Sequence, residues 1–502
     1  MASPAAKVMI EVDSKWEAVI GLEVHVQLNT RTKLFSQARN GDVTAAPNQN
    51  ANLVDLAYPG TLPVLNLAAL THAIRFGAAI DGSIARVCSF ERKHYFYPDL
   101  PKGYQISQYS QPIVGAGVFN LWFEDGQTKT VRIRRAHLEE DAGKSIHDWL
   151  PDSTALDFNR AGTPLLEIVT EPDLHTPLEA AMFLRQLHAL VIWLDLGSGN
   201  LYEGAVRCDA NVSLRPKGNK NLGTACELKN LNSFKFLKNA LRYEFDRQVA
   251  VLSTGASVRR ETRSYDPVSG STRSMRPKEQ DRDYRYLPDP DLPPISISET
   301  TISEIRSNMP ELPATVRDRF LRNFNLTPDQ AYRLTLEKPL AELFEATTEL
   351  CKDPQTTANW ILGKVTAIRK RKQSRAQDIP ISARQLSQLI ERVKDGTLGF
   401  NTGKELLGKF WDTNQDLDQI IKTHDITQIS DRDQISRWAA RVVEENEELI
   451  PKLINGEEKL YEYFIGQVMK LSRGKANPQL VRQALQRLVT MEDKHNSSEN
   501  LD

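Results

Sequence analysis

The run AVIGLEVHVQL, residues 18–28, alternates from Ile20 onward between large apolar side chains and the residues Gly21, Glu23, His25 and Gln27. Successive side chains of a β-strand point to opposite faces of its sheet, so this run predicts a strand whose apolar face lies in a core. Its other face presents Glu23 beside His25. A solvated strand face usually carries Thr, Lys and Gln, so a carboxylate next to an imidazole makes this face a candidate site.

Three further runs have the same character: VRCDANVSLR (206–215), AHLEEDAGKS (136–145) and ACELKNLNS (225–233). Their polar side chains combine carboxylates with basic groups, and those of interest are Arg207, Asp209, Glu139, Glu140, Asp141, Glu227 and Lys229. Strands that bring these residues together would form an oxygen-rich surface with one histidine, which suits Mg²⁺ or Mn²⁺ bound together with substrate phosphates. The alternative is a set of solvated strand faces with cross-strand ion pairs, and both interpretations stay open at this point.

The periodicity also predicts the domain organisation. From Trp16 to about Pro294 the chain consists mostly of short alternating runs broken by Gly, Pro and Asn, with helices near 176–194 and 233–250. This pattern predicts a large α+β domain. After the break DPDLPP the period becomes helical, and a linker near 376–382 separates two helical stretches. We therefore predict three domains, over residues 16–294, 295–377 and 381–490.

The composition excludes membrane proteins and wholly disordered chains. With 40% hydrophobic and 26% charged residues over 502 positions, the chain can build several packed cores. No apolar run approaches the roughly 20 residues of a membrane span. The 64 Lys and Arg nearly balance the 65 Asp and Glu, so any attraction to nucleic acid must come from local basic patches. The N-terminus has no readable secretory signal and the cysteines form no CxxC pair, so we expect a cytoplasmic protein without disulfides.

The sequence lacks the standard nucleotide-binding loops. AGKS (142–145) resembles the end of a P-loop, but Leu138 stands where that loop requires its first glycine. GSGN (197–200) does not open a helix as a GxGxxG fingerprint would. A nucleotide would therefore have to be held by the metal-binding surface together with Lys and Arg side chains.

Two stretches interleave aromatic and basic residues: RKHYFYPDLPKGYQ (92–105) and the Arg-rich segment 258–291. Such stretches can stack and pair a single-stranded nucleic-acid end, although a charged surface hairpin would look the same. Another segment contains basic groups with no acid among them, namely Lys364, Arg369, Lys370, Arg371, Lys372 and Arg375. This segment suits a phosphate backbone, and a solvated helix face is the alternative.

Taken together, these motifs resemble one family, the B subunits of the glutamine-dependent aspartyl/glutamyl-tRNA amidotransferases. The resemblance extends over about residues 16–490 in the expected order, and several motifs exceed eight residues. The matching stretches are IGLEVHVQL, PGTLPVLN, KHYFYPDLPKGYQISQ, HLEEDAGKS, NRAGTPLLEIVTEPD, EGAVRCDANVSLRP, ELKNLNSF, RDYRYLPDPDLPP and FIGQVMKLSRGKANP.

The resemblance implies a fold, an activity and partners. It implies a cradle-like catalytic domain built on an antiparallel sheet, then a helical domain and a helical tail domain that binds tRNA. Members use ATP and Mg²⁺ to phosphorylate the side-chain carboxylate of mischarged Glu-tRNA(Gln) or Asp-tRNA(Asn), and then amidate it with ammonia. An amidase, the A subunit, releases the ammonia from glutamine, and the small C subunit completes the heterotrimer. The alternative is a tRNA-binding scaffold whose chemistry belongs to a partner.

The residues and the resemblance together assign candidate roles. The metal-site candidates are Glu23, His25, Glu139, Glu140 and Glu227. The candidates for catalysis and for neutralising phosphate are Arg207, Asp209 and Lys229. The ammonia-path candidates are Lys93 and Lys102. The tRNA-binding candidates are Lys364, Arg369, Lys370, Arg371, Lys470, Arg473 and Lys475.

One loop departs from the family pattern. Bacterial relatives often bind zinc through cysteines between the LFS segment and PGTLPVLN, whereas residues 34–66 of this chain contain no cysteine. A structural zinc site needs four N or S ligands, most often with sulfur among them. We therefore predict that no zinc is bound, and we expect turns and packing to hold this loop.

Overall fold

The computed structural model describes residues 15–41, 45–201, 203–277, 284–395, 398–412, 417, 429, 431–450, 458–472 and 475–499. The chain divides into two compact units, with the boundary between Val316 and Arg317. The predicted α+β class is confirmed, because a unit built on a sheet is followed by a helical unit. Within the described ranges, no helix has the length and apolar composition that crossing a bilayer requires.

The described part of the first unit contains a large sheet and two small ones. Its strands are β1 (Trp16–Gln27), β2 (Val87–Cys88), β3 (Glu91–His94), β4 (Tyr104–Ser107), β5 (Gly117–Trp122), β6 (Thr128–Glu140), β7 (Lys144–Leu150), β8 (Ser153–Asp157), β9 (Pro164–Thr170), β10 (Val206–Pro216), β11 (Cys226–Lys229), β12 (Glu261–Asp266), β13 (Ser271–Pro277), β14 (Leu287–Pro288) and β15 (Ile295–Ser296). The large sheet has the order β13-β12-β11-β10-β1-β9-β6-β4-β3-β14, with β5 beside β6. β15 pairs with β2, and β7 pairs with β8.

The large sheet is mixed. The pairs around β1, β9 and β10 are antiparallel, but β11 and β12 run parallel. The prediction of an antiparallel sheet is therefore wrong at this pair. The physical reason is the helix Phe234–Ser253, which connects the two strands as a crossover and returns the chain to the end at which β11 began.

The alternation that predicted β1 is confirmed by burial. Ile20, Leu22, Val24 and Val26 are at most 1% exposed, and they belong to the main hydrophobic core of the unit. The corresponding face of β10 is buried as well, including Cys208. Both strands therefore turn their apolar face to one core and present their polar face on the other side of the sheet.

Helices α1 (Leu67–Ala79), α2 (Pro177–Trp193) and α3 (Phe234–Ser253) pack against strands of this sheet. A fourth helix, α4 (Glu299–Ser307), packs against α1. The helices predicted near 176–194 and 233–250 are confirmed as α2 and α3, and the hydroxyls of Thr176 and Ser233 cap their N-termini. Helix α1 was not predicted, although the side chain of Asn66 caps it by accepting a hydrogen bond from the backbone N–H of Ala68.

A buried ion pair fixes the loop that follows β1. Lys33 is fully buried, and its Nζ lies 3.2 Å from Asp55 Oδ2 and donates to the carbonyl of Phe158. The Ser36 hydroxyl and the backbone N–H of Asn52 donate to the same carboxylate. Turns and packing were expected to hold this loop, and the structure adds a charge pair that no sequence pattern indicates, because lysine is seldom fully buried.

The remaining helices form the helical part of the chain. They are α5 (Pro313–Phe324), α6 (Pro328–Thr335), α7 (Lys338–Cys351), α8 (Pro354–Asn359), α9 (Thr366–Lys372), α10 (Ala383–Lys394), α11 (Phe400–Asp412), α12 (Arg432–Glu444), α13 (Glu458–Leu471) and α14 (Pro478–Glu499). A π-helical turn, Trp360–Val365, joins α8 to α9, and 3-10 turns lie at Ala376–Asp378 and Glu447–Leu449.

The contacts between these helices concern the predicted domain boundary near residues 376–382. The predicted linker near 376–382 contains the turn Ala376–Asp378, and α10 beyond it packs against α7 before it. A separate core forms where α12, α13 and α14 pack together around Phe464 and Leu485. The division of the helical part into two domains stays a prediction, and α12–α14 form the segment with a core of its own.

Candidate active site

Neighbouring strands align polar side chains in one row across the sheet. In the antiparallel register, His25 of β1 lies opposite Arg207 of β10 on one side and Glu167 of β9 on the other. Glu167 lies opposite His137 of β6. Directly opposed residues of paired strands share a face, so Arg207, His25, Glu167 and His137 form a continuous polar row.

This row contains a candidate cation site. His25 Nε2 lies 3.4 Å from Glu139 Oε1 and 3.4 Å from Glu167 Oε2. One ligand atom from each of these three side chains lies within 4.8 Å of the others. His137 Nε2 lies 3.3 Å from Glu167 Oε2. Two carboxylates and an imidazole match the ligand types that hold Mg²⁺ or Mn²⁺ in proteins, and they can arrange themselves around one ion.

The three side chains stabilise one another's charges. Burial by itself would lower the pKa of His25, but its hydrogen bonds to Glu139 and Glu167 outweigh burial and raise that pKa to about 10. Burial also disfavours the charged form of Glu167, yet His137 and His25 hold the pKa of this carboxyl well below its usual value. Protonated His25 therefore balances the charge of the two carboxylates, and a cation bound by these three side chains would supply that positive charge in place of the proton.

A second charged cluster lies on β10, β11 and β12, which succeed one another in the sheet on one side of β1. Lys229 Nζ donates to Asp209 Oδ2 at 2.6 Å and lies 3.2 Å from Glu227 Oε1. The Thr262 hydroxyl donates to the other oxygen of Glu227 at 2.7 Å. Burial would lower the pKa of Lys229, but the charges of Asp209 and Glu227 raise it. The cluster therefore holds a permanently charged ammonium group between two carboxylates.

Glu23 lies between the two clusters. It stands directly opposite Asp209 in the β1–β10 pair, and it accepts a hydrogen bond from Asn211 Nδ2 at 3.0 Å. Burial raises the pKa of Glu23, and the charges of Glu167 and Asp209 raise it further. Several carboxylates thus repel one another along this face, and a bound cation would relieve the repulsion.

Glu139 and Glu140 lie on opposite faces of β6, because successive strand residues alternate. Glu139 joins His25, whereas Glu140 forms an ion pair with Lys102 and accepts a hydrogen bond from the backbone N–H of Ile106 at 2.9 Å. The structure thus separates two carboxylates that the sequence analysis treats together. It also places the ammonia-path candidate Lys102 with Glu140 and not with His25.

Arg207 and Lys93 are two further candidates. Arg207 Nη2 donates to Asp141 Oδ2 at 2.8 Å, which fixes the guanidinium at its end of the polar row. Lys93 Nζ lies 5.1 Å from the ring centroid of Tyr284. Burial would lower the pKa of Lys93, but the negative charge of Glu139 raises it. Lys93 therefore remains a cation close to the candidate metal site.

Glu167 and His137 are functional candidates that the sequence analysis missed. Glu167 interrupts the otherwise uncharged strand PLLEIVT, and His137 is buried at 3% exposure. A charged residue inside a buried strand needs a partner, so the interruption was the available signal. The identity of that partner depends on strand order and register, which local patterns do not contain.

The tRNA-binding candidates around α9 differ in their surroundings. Arg369 forms a bidentate ion pair with Glu337, at distances of 2.5 and 2.8 Å. Lys364 Nζ lies 4.9 Å from the ring centroid of Phe400. The candidates of α9 that are exposed are Lys370 and Arg371. Because they are exposed, these two side chains are better placed than Arg369 to bind a phosphate group.

The remaining tRNA-binding candidates lie around the C-terminal end of α13. Lys470 is exposed and Lys475 is half-buried. Arg473 lies outside the described residues.

Family models and curated relatives that match this chain agree with one another. A family model described as "GatB/GatE catalytic domain" matches residues 18–303, and one described as "GatB domain" matches residues 342–489. A Nitrosospira multiformis protein, named as the B subunit of aspartyl/glutamyl-tRNA(Asn/Gln) amidotransferase, is 46% identical over 95% of this chain and 100% of its own length. Proteins of the same name from Thioalkalivibrio sulfidiphilus and Alkalilimnicola ehrlichii are 45% and 47% identical, each over 94% of this chain and 99% and 98% of their own lengths. Because the catalytic-domain match alone covers more than half of the sequence, the chain belongs to the family of B subunits of aspartyl/glutamyl-tRNA(Asn/Gln) amidotransferases.

Proposed function

We propose that this chain carries the activation and amidation steps of a tRNA-dependent amidotransferase in the cytoplasm, acting on Glu-tRNA(Gln), Asp-tRNA(Asn) or both. The observation that carries the proposal is the pair of clusters on one sheet face. His25, Glu139 and Glu167 offer ligands for a divalent cation, and Asp209 holds the ammonium group of Lys229 nearby. A scaffold that only binds tRNA needs neither arrangement.

The reaction explains why both clusters are needed. A carboxylate is a poor electrophile because its negative charge repels nucleophiles. Transfer of the γ-phosphoryl group of ATP to a carboxylate oxygen gives an acyl phosphate and ADP. Ammonia then attacks the acyl carbon, phosphate leaves, and the side chain becomes an amide. The phosphoryl transfer requires positive charge around the phosphate oxygens, and the attack requires ammonia that stays unprotonated.

Each residue of the two clusters has its own role in this proposal. His25, Glu139 and Glu167 would hold Mg²⁺, which supplies charge neutralisation at the ATP phosphates when it is bound. Arg207 lies next to His25 in the row, and Lys229 adds a second positive charge. Both can neutralise the transferred phosphoryl group. The short hydrogen bond from Lys229 to Asp209 fixes the position of the ammonium group.

The partners in this proposal are two separate chains. The amidase (the A subunit) supplies the ammonia, and the small C subunit completes the heterotrimer. Lys93, close to Glu139, is the better placed of the two ammonia-path candidates. Exposed apolar side chains at the start of α1 and on the loop before it support the presence of a protein partner. Leu62, Val64 and Leu67 are 63%, 72% and 69% exposed, and such patches on soluble proteins often mark interaction sites.

Asp209→Asn should lower ATP-dependent amidation by roughly 100-fold, because a neutral amide holds the Lys229 ammonium group less firmly than a carboxylate where charge develops, even with Glu227 beside it. Glu23→Gln should act in the same direction. Glutamine hydrolysis by the partner amidase should survive in both variants. The measurement is the rate of each half-reaction in the assembled enzyme. Asp246→Asn, on the exposed side of α3, is the matched control, and normal amidation by Asp209→Asn would refute the assignment.

Truncation after Asp412 should raise the Michaelis constant for aminoacyl-tRNA and leave that for ATP unchanged. The cut removes α12–α14, which have a core of their own, whereas a cut near Gln377 would strip α10 from α7. For every tRNA phosphate that the tail no longer neutralises, the salt dependence should flatten by about 0.7–0.9 log unit of affinity per log unit of salt. Steady-state kinetics at several salt concentrations tests this. An unchanged constant for tRNA would show that the tail has another role.

The purified enzyme should contain no stoichiometric zinc and yet require Mg²⁺. Among the described residues, the group able to hold a metal consists of His25, Glu139 and Glu167, and a structural zinc site would need four N or S ligands. Elemental analysis and activity assays after washing with a chelator provide the measurement. One zinc per chain that survives the wash, or full activity without Mg²⁺, would contradict the prediction.

A further inference from the structure

One side of the second charged cluster is formed by β12, which joins the sheet after the crossover helix α3. β12 runs parallel to β11, the strand that carries Glu227 and Lys229. In the register of this pair, Glu227 stands directly opposite Thr262, and Lys229 stands opposite Ser264. Because opposed residues of paired strands share a face of the sheet, Thr262 points to the same side as Glu227.

The hydroxyl of Thr262 is a buried donor to the cluster. It donates to Glu227 Oε2 at 2.7 Å, and the residue is 1% exposed. A threonine hydroxyl has a single proton to donate, so this proton is committed to the carboxylate. Because almost no water reaches Thr262, solvent would not replace the hydroxyl if a methyl group stood in its place.

The other oxygen of Glu227 faces Lys229. Lys229 Nζ lies 3.2 Å from Glu227 Oε1 and 2.6 Å from Asp209 Oδ2. Lysine has a long flexible stem, so a single anchor would let the ammonium group swing, whereas two carboxylates fix its position. The two oxygens of a carboxylate move together as one rigid plane. The hydroxyl that holds Oε2 therefore also sets the direction in which Oε1 points.

A different carboxylate holds the opposite face of the β12–β13 hairpin. Glu244 of α3 is fully buried and accepts a hydrogen bond from the Thr272 hydroxyl at 3.2 Å. Arg263 donates to the hydroxyl and to the carbonyl of Thr272 at 2.9 and 2.8 Å. These contacts fix the hairpin on α3 from the helix side of the sheet. They place Thr262 of the same strand, and its hydroxyl transmits this placement to Glu227.

We propose that Thr262 is a positioning residue for amidation: its hydroxyl fixes Glu227, and Glu227 fixes the ammonium group of Lys229. This inference rests on the proposed function, since it concerns a group that we assign to phosphoryl transfer. Thr262 itself touches no substrate, because it is buried. Its contribution is to hold a positive charge in place before the reaction begins, which is how electrostatic stabilisation avoids the cost of reorganisation.

Steady-state kinetics of the assembled enzyme test the proposal. Thr262→Val replaces the hydroxyl by a methyl group and should lower the kcat of amidation about tenfold, the lower end of what the outer partners of functional groups contribute. The Michaelis constants for ATP and aminoacyl-tRNA should stay within about twofold, because the loss concerns the transition state. Thr262→Ser keeps the hydroxyl and should restore the rate. Thr262→Ala, which also removes the hydroxyl, is the second variant if Thr262→Val does not fold.

Thr272→Val is the matched control. Thr272 lies on the same hairpin, is 4% exposed and, like Thr262, donates to a carboxylate. Its partner Glu244 lies on the helix side of the sheet, so this variant should lose stability as Thr262→Val does and yet keep its kcat. Thermal unfolding measures the first quantity. A loss of kcat in Thr272→Val as large as that in Thr262→Val would attribute the effect to hairpin stability and refute the proposal.

A double-mutant cycle shows whether Thr262 acts through Glu227. Added to Glu227→Ala, Thr262→Val should lower kcat by less than about twofold, because the contact is already lost. Independent effects of the two substitutions, or a wild-type kcat in Thr262→Val, would overturn the inference. Lys229→Met separates the two proposals. Slow amidation by Lys229→Met beside normal Thr262→Val would overturn the inference alone, whereas normal amidation by Lys229→Met would overturn the role of Lys229 in the proposed function.

Discussion

Glu167→Gln should lower ATP-dependent amidation by about a hundredfold or more, because even residues outside the ligand shell of a metal cost roughly 10–100-fold when they are replaced. Glu167 contacts both His25 and His137. The amide keeps the shape of the side chain but loses the charge that the cation site requires. The apparent affinity for Mg²⁺ should fall with the rate, and high Mg²⁺ should restore part of the activity. Amidation rates measured over a Mg²⁺ titration provide the test.

Glu17→Gln is the control for this experiment. Glu17 lies on β1 like His25, but it pairs with Arg215 near the start of the strand. A partly exposed ion pair contributes about 0–1 kcal/mol to the free energy of unfolding. The variant should therefore stay folded and keep its activity. Glutamine hydrolysis should continue in both variants. If Glu167→Gln amidates tRNA at the wild-type rate with unchanged Mg²⁺ dependence, the cation site does not lie in this row.

Lys33→Met should lower the free energy of unfolding of the first unit by about 3–5 kcal/mol, the usual cost of removing one partner of a buried ion pair. Lys33 is fully buried and Asp55 is 4% exposed, so methionine would leave a carboxylate without its counter-charge. The measurement is the shift in the unfolding transition on thermal or urea denaturation, with hydrogen exchange of loop amides as a local readout.

Lys33→Met/Asp55→Leu serves as the second variant. Replacing both partners by apolar groups removes the unpaired charge, so this variant should recover a large part of the lost stability. Asp55 also accepts hydrogen bonds from Ser36 and Asn52, which keeps the recovery incomplete. Equal stability of the wild type and Lys33→Met would show that the ion pair does not hold the loop.

Part of the candidate site could be predicted from neighbouring residues in the sequence. Alternation placed Glu23 and His25 on one face, and the same reasoning placed Asp209 and Lys229 on polar faces of other strands. Each of these steps needs only the period of a strand. Local patterns do not distinguish Glu139 from Glu140, because both stand at the end of one strand and the choice depends on which of them lies on the same side of the sheet as His25.

By itself, the sequence determined the α+β class, the buried faces of β1 and β10, and the helices α2 and α3, because strand period, helix period and capping residues are encoded within a few neighbouring positions. Tertiary structure alone decided that β9 inserts between β1 and β6, and with it that Glu167 contacts His25. It also decided the parallel β11–β12 pair and the burial of Lys33 against Asp55. These features depend on strand order, register and long-range pairing, in which residues distant along the chain become neighbours only after the core has packed.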